Sequence, residues 1–200
     1  METRRCVFVG VGGQGNLLAS RLLGETALSL GIPSIVSEIH GMAQRGGVVE
    51  SAVLIGDVTS PIVSDGEADV LIGFEPLETV RTLRKCNKKS VVITNTHPFP
   101  PFTVSIGQGI YPPLEEVLDL IYSRVDNVIA LNGNELAESA GNPLSLNMVM
   151  LGALTGSGII SISDNSIKEI ISTSTKKAFL DSNLKAFDLG MDEAKKLKRA

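Results

Sequence analysis

The chain has no tryptophan, and its 200 residues include only two tyrosines, six phenylalanines, two cysteines and two histidines. Each shortage excludes something. Few aromatic rings leave little surface for stacking a ring-bearing ligand. Cys6 and Cys86 fall short of the four thiolates that a [4Fe–4S] cluster needs, and His40 and His97 stand at no metal-ligand spacing. The chain is therefore expected to build no metal or iron–sulfur centre alone, and its sparse cysteines suit a reducing cytoplasm. An excess of positive charge is also missing. Eighteen Lys and Arg stand against 22 Asp and Glu, for a net charge of −4. That argues against a nucleic-acid partner. No charged and apolar leader with a cleavage site precedes the first strand, so no secretory signal is expected. Two charge-free stretches invite comparison with membrane spans, residues 90–114 and 139–163. Five prolines break the first, and Asn142, Pro143, Asn147 and three glycines from Gly152 to Gly158 interrupt the second. They read as a loop region and a buried helix, so no membrane partner is expected.

What is present is a globular composition, 43% hydrophobic and 20% charged, of a length that makes one domain over residues 1–200. Strands are expected at residues 6–9, 32–37, 48–55, 70–74, 91–94 and 128–131, with a short β excursion near 104–106. Helices are expected at 16–30, with Leu18, Ala19, Leu22 and Leu30 inward, and from Pro76 to about Leu83. A third helix begins at Leu114, where Leu114, Val117, Leu118, Ile121 and Val125 repeat at helical spacing. From Asn134 onward the pattern is helical. Strands alternating with helices imply an α/β, Rossmann-like fold: a mainly parallel sheet flanked by helices, with the helical C-terminal part on one side.

Two motifs carry chemistry. The first is Gly10-Val11-Gly12-Gly13-Gln14-Gly15, a G-x-G-x-x-G loop between a strand and a helix. Gly10 allows a tight turn, Gly12 a close backbone approach, and Gly15 close helix packing. The helix start behind it offers N–H groups to an anion. Glu38 follows 23 residues after Gly15, near where a dinucleotide fold holds its ribose-binding acid. These residues alone leave two readings open: an NAD site, or glycines that serve only turn and packing geometry.

The second motif is Glu38-Ile39-His40-Gly41-Met42-Ala43-Gln44-Arg45-Gly46-Gly47. Arg45 could clamp a carboxylate or phosphate, and His40 could move a proton. The amide of Gln44 and the backbone of Gly46 and Gly47 could meet a bound group. The opposing reading is a polar loop whose side chains bond each other or a neighbouring subunit.

Together the two motifs resemble the gamma-type domain of the 2-oxoacid:ferredoxin oxidoreductases, and most nearly its indolepyruvate branch. The resemblance runs on through residues 69–76 with Glu78 and Arg81, through Tyr111-Pro112, and through Gly141-Asn142, Asn147 and residues 151–153. It implies an accessory subunit, unlikely to act alone, of an enzyme that converts a 2-oxoacid such as indolepyruvate or another aryl pyruvate. The other reactants are CoA and oxidised ferredoxin, and the products are acyl-CoA, CO₂ and reduced ferredoxin. It implies thiamine diphosphate and [4Fe–4S] clusters on a larger alpha subunit, with ferredoxin as the electron acceptor. The thiamine signature Gly-Asp-Gly is indeed absent, since Gly56-Asp57-Val58 fails at its third position. On this resemblance, the cofactor-binding candidates are Gly10, Gly12, Gly13, Gln14, Gly15, Gln44, Arg45, Gly46 and Gly47, with CoA pyrophosphate as the possible ligand. His40 and Arg45 are the candidates for a catalytic role, and no residue is assigned to a metal. The rival expectation is a stand-alone NAD-dependent dehydrogenase using Gly10, Gly12, Gly15 and Glu38. A third is a module that senses an anion or acyl-CoA without catalysis. Cys86, among Arg84, Lys85, Lys88 and Lys89, reads as a small residue in a basic surface turn, with a reactive thiol or a ferredoxin-docking patch as alternatives.

Overall fold

The computed structural model describes residues 3–40 and 47–198. Its strands are β1 (Arg4–Val11), β2 (Ser34–His40), β3 (Val48–Ile55), β4 (Ala68–Gly73), β5 (Cys86–Asn95) and β6 (Asn127–Leu131). They form one sheet in the order β2-β3-β1-β4-β5-β6. The helices are α1 (Asn16–Ser29), α2 (Pro76–Thr82), α3 (Phe102–Ser105), α4 (Leu114–Arg124), α5 (Gly133–Ser139), α6 (Leu146–Ser157), α7 (Asp164–Ser174) and α8 (Leu180–Leu197).

The middle of the sheet follows from its sequence. β1 and β4 are apolar runs buried on both faces, as parallel interior strands are. β4 pairs in parallel with β1 and β5, and β5 with β6. β3 departs from that pattern. It runs antiparallel to both β2 and β1, because the chain turns back after His40 instead of crossing over through a helix. The sheet is thus mainly parallel with one reversed strand.

Alternating side chains divide the core in two. Phe8, Val53, Ile72, Ile93 and Leu131 face α1 and the C-terminal helices α5 to α8. Val7, Val9, Leu54, Leu71 and Val92 face the other way, onto Leu83, Ile121 and Val125 around α2 and α4. The helical C-terminal part lies on one side, as its pattern predicts. Ser145, Leu146 and most of α6 are buried, so the second charge-free stretch is a core helix. Among the described residues, no helix is long and apolar enough to cross a membrane.

Two expectations fail locally. Residues 104–106 form no strand. Val104 N–H bonds Pro101 O and Gly107 N–H bonds Val104 O, so the segment past the end of β5 satisfies its backbone locally and coils into α3. Leu30 is exposed, since the helix ends at Ser29 and Leu23 and Ala27 turn inward instead.

α6 and α8 cross at backbone contact. A Cβ on Gly152 would lie 2.0 Å from Phe187 O, one on Gly156 2.3 Å from Met191 O, and one on Gly190 2.0 Å from Val149 O. Only glycine permits this approach. Gly152→Ala is expected to push the helices apart and to destabilise by about 2 kcal/mol or more. Urea unfolding would read this, and an unchanged midpoint would contradict the close crossing.

Candidate functional site

The chain leaves β1 for β2 on one side, while β4 leads to β5 and β6 on the other. The carboxyl ends of β1 and β4 therefore flank the point where strand order reverses, the usual place for a crevice in such sheets. Residues 10–15 sit there.

The glycines are used specifically. A Cβ on Gly10 would lie 2.8 Å from Gln14 Oε1 and 2.9 Å from Phe74 Cβ. Gly15 has φ 79° and the Asn147 side chain, from α6, within 2.9 Å of where a Cβ would be. Gly13, at φ 99°, faces open space, and Gly12 and Gly13 are exposed. The Gln14 side chain closes the turn on itself. Its Oε1 accepts Val11 N–H at 2.8 Å, and its Nε2 donates to Phe74 O at 3.1 Å.

α1 begins directly behind this turn. Gly15 provides no side-chain cap, and no acidic residue stands in the first turn. The helix start thus keeps a positive end that an anion would favour. Asn16 fixes its position by donating from Nδ2 to Val49 O on β3 at 2.8 Å.

The second motif returns to the same place. His40 pairs with Val49, Val48 pairs with Val11, and Gly12 donates its N–H to Gly47 O at 3.0 Å. The connection between β2 and β3 thus starts two strands away from β1, at His40, and finishes beside the glycine loop, at Gly47. Gly10, Gly12, Gly13, Gln14, Gly15 and Gly47 are brought together. Gln44, Arg45 and Gly46 lie outside the described residues, as does the side chain of His40.

Glu38 is not where a dinucleotide fold needs it. It registers with Ser51, and Ser51 with Phe8, so β3 stands between Glu38 and β1. Two strand spacings, roughly 10 Å, separate the acid from β1. In the dinucleotide arrangement the second strand lies directly against the first.

The neighbouring carboxyl end holds a polar network that the motifs do not reveal. Phe74 O accepts Gln14 Nε2 and also Asn95 Nδ2, at 3.0 Å. Asn95 is fully buried; its Nδ2 also reaches Asn134 Oδ1 at 2.9 Å, and its Oδ1 accepts Gly133 N–H at 2.9 Å. Glu75 caps α2 by accepting Glu78 N–H at 2.9 Å, and it also accepts the Tyr111 hydroxyl. Burial, together with the Glu75 carboxylate, pushes the Tyr111 hydroxyl above its usual range. Glu78 bonds Arg81 through Oε1, while its buried Oε2 has no partner among the described residues. Burial raises the Glu78 carboxyl, Arg81 opposes the rise, and Glu75 adds to it. An acid before a proline was legible as a helix cap. Its burial under Tyr111, and the roles of Asn95 and Asn147, depend on contacts distant in sequence.

The basic surface turn is corrected. Cys86 opens β5 as a buried residue, and burial pushes its thiol up to about 11 despite a hydrogen bond with Ser90. Three of the four nearby cations are paired: Lys85 with Glu50 at 2.6 Å, Arg84 with Asp65 at 2.8 Å, and Lys88 with Asp126 at 4.0 Å. Cys6, also buried, is pushed up to about 12. The two thiols lie in cores on opposite faces of the sheet and cannot share a cluster.

The family model described as pyruvate ferredoxin/flavodoxin oxidoreductase matches residues 5–193. The indolepyruvate oxidoreductase subunit IorB of Methanothermobacter thermautotrophicus is 42% identical over 185 residues, covering 92% of this chain and 94% of that protein. The gamma subunit of a keto/oxoacid ferredoxin oxidoreductase from Geobacter sulfurreducens shares the fold at a TM-score of 0.70 and 23% identity, covering 96% of this chain and 98% of its own. The 2-oxoglutarate:ferredoxin oxidoreductase of Magnetococcus marinus, solved with 2-oxoglutarate, coenzyme A and succinyl-CoA, shares it at a TM-score of 0.74 and 21% identity. That match covers all of this chain and 32% of the longer one.

Two measurements check the site as described. Neither thiol is expected to react with a thiol reagent in the native protein at about pH 8, and both should react on unfolding. Rapid native labelling of Cys86 would contradict its burial. For Glu78, a raised carboxyl favours the folded state while protonated, and this contribution is lost as pH rises through the raised value. Glu78→Gln cannot ionise. Its melting temperature is therefore expected to gain on that of the wild type from about pH 4 to about pH 7. A pH-independent difference would contradict the shift.

Proposed function

This chain belongs to the pyruvate ferredoxin/flavodoxin oxidoreductase family, and from that membership we propose that it is the accessory subunit of an indolepyruvate:ferredoxin oxidoreductase. The holoenzyme would oxidatively decarboxylate indolepyruvate and related aryl pyruvates with CoA, giving aryl-acetyl-CoA, CO₂ and reduced ferredoxin. The observation that carries the reading is the 42% identity to an indolepyruvate oxidoreductase subunit along nearly the full length of both chains.

The chain's own residues support a division of labour. Cys6 and Cys86 lie in opposite cores, so they do not fit an iron–sulfur cluster. No Gly-Asp-Gly signature is present for thiamine diphosphate. Both cofactors are assigned to a larger alpha subunit, which would form the acyl group and pass electrons to ferredoxin. Two free, buried thiols suit a reducing cytoplasm.

What this chain would contribute is a place for the CoA pyrophosphate. The exposed backbone of Gly12 and Gly13 and the uncapped start of α1 suit a phosphate. Gln14 shapes the turn rather than reaching outward. Gly47 is tied to Gly12, and Gln44, Arg45 and Gly46 directly precede it in the sequence. In this reading Arg45 holds phosphate charge, and His40 stands where the connection begins. The NAD-dependent dehydrogenase reading loses its support once β3 separates Glu38 from β1.

The test is anaerobic co-expression with the larger subunit, followed by assay of ferredoxin reduction. Activity is expected to require indolepyruvate, CoA and both chains, and a lone chain that binds NADH would overturn the reading. Arg45→Ala is expected to raise KM for CoA about tenfold while leaving KM for the oxoacid unchanged. An unaltered KM for CoA would remove Arg45 from phosphate binding.

A further inference from the structure

The first charge-free stretch takes no part in the glycine loop, yet it is tied to the same corner of the sheet. Residues 96–113 link β5 to α4 and contain no Asp, Glu, Lys or Arg, in a chain that is 20% charged. Near its start, Phe99 donates its backbone N–H to Glu75 Oε1 at 3.2 Å. Near its end, Tyr111 donates its hydroxyl to the same oxygen at 2.5 Å. One carboxylate oxygen therefore gathers both ends, which makes the segment an Ω-loop. Glu75 is only 1% exposed. A carboxylate held out of water is stable only while its hydrogen bonds persist, so this clasp is a firm one.

Between the anchors the backbone bonds within the loop: Val104 N–H to Pro101 O, Gly107 N–H to Val104 O, and Gln108 N–H to Thr103 O. Three of its apolar side chains point outward. Ile110 is 93% exposed, and Phe99 and Ile106 are about half exposed. A loop meant for water carries charge and tucks its aliphatic groups inward. This one is braced at its base and presents them. Interface centres have this composition: aliphatic and aromatic groups, with Asp, Glu and Lys depleted.

We propose that the 96–113 loop is the docking surface for the larger, cofactor-bearing subunit, with Glu75 as the clasp that presents it. This rests on reading the chain as a subunit. Two observations select that occupant. A charge-free loop offers no steering field to a small acidic electron carrier, which would favour a basic patch. In the longer 2-oxoglutarate:ferredoxin oxidoreductase chain this fold is 32% of a continuous polypeptide. A separate chain of the same fold must meet its larger body through surface contact. The matching face on the partner is apolar and uncharged.

Ile110→Glu tests this in the co-expressed complex, with Leu144→Glu as the control. Leu144 is 80% exposed and lies just before α6. Both variants are expected to keep the wild-type melting temperature as free chains. By size exclusion on dilution and by native mass spectrometry, Ile110→Glu is expected to weaken assembly about thirtyfold, and Leu144→Glu by less than about twofold. Tyr111→Phe, which removes one clasp bond and leaves the apolar tip intact, should weaken assembly less and speed amide exchange across residues 100–110 of the free chain. If Ile110→Glu assembles like the wild type, the docking surface is elsewhere, while the subunit reading stands. If the wild type itself fails to join the larger subunit, the subunit reading fails. If Ile110→Glu instead dissolves a homodimer of the isolated chain, the occupant is a second copy and the proposal is overturned.

Discussion

The carbonyl of Phe74 is the point on which the functional end of this protein is built. It stands at the carboxyl end of β4 and receives two side-chain amides, Gln14 from the glycine loop and Asn95 from β5. Both donors are committed elsewhere too. Asn95 reaches onward to Asn134 and Gly133 at the start of α5, and Gln14 accepts from Val11. Three strand ends are locked in one plane by groups that cannot be left unpaired where water is excluded. The next residue, Glu75, begins α2 and clasps the 96–113 loop. Turn, helix start and loop therefore share one two-residue junction, and a displacement at one is felt by the others.

The glycine motif shows how one pattern serves more than one purpose. In a dinucleotide fold the space around such glycines is left for a pyrophosphate and a ribose. Here Gln14 fills the space against Gly10, and Asn147 fills that against Gly15. The open part shrinks to the backbone of Gly12 and Gly13 and the start of α1. The reversed strand β3 then moves Glu38 outward by one strand. What persists is a set of backbone N–H groups and a positive helix end, features that would suit an anion and need no particular side chain.

The rest of the molecule supports that end with little chemistry of its own. Cys6 and Cys86 are pushed up by burial and lie in separate cores. Three of the four cations around Cys86 are matched by Glu50, Asp65 and Asp126. The glycine contacts of α6 with α8 bring the C-terminal helices close enough to place Asn147 against Gly15. Packing far from the glycine loop thus decides the loop's shape.

The order of residues alone dictated the alternation of strands and helices, the parallel core of the sheet, the glycine turn and the amphipathic face of α4. These follow from local periodicity, from the conformations open to glycine and proline, and from apolar runs that must be buried on two faces. It also bounded the chemistry through its count of thiols and charges. It could not determine that β3 runs backward between β2 and β1, that residues 104–106 coil into α3, or that Cys86 is buried. Nor could it show that Glu75 would meet Tyr111, or Asn147 meet Gly15. Strand order, burial and long-range hydrogen bonds depend on which distant segments share a neighbourhood, and that is settled only when the two faces of the sheet are covered and the buried backbone groups have found partners.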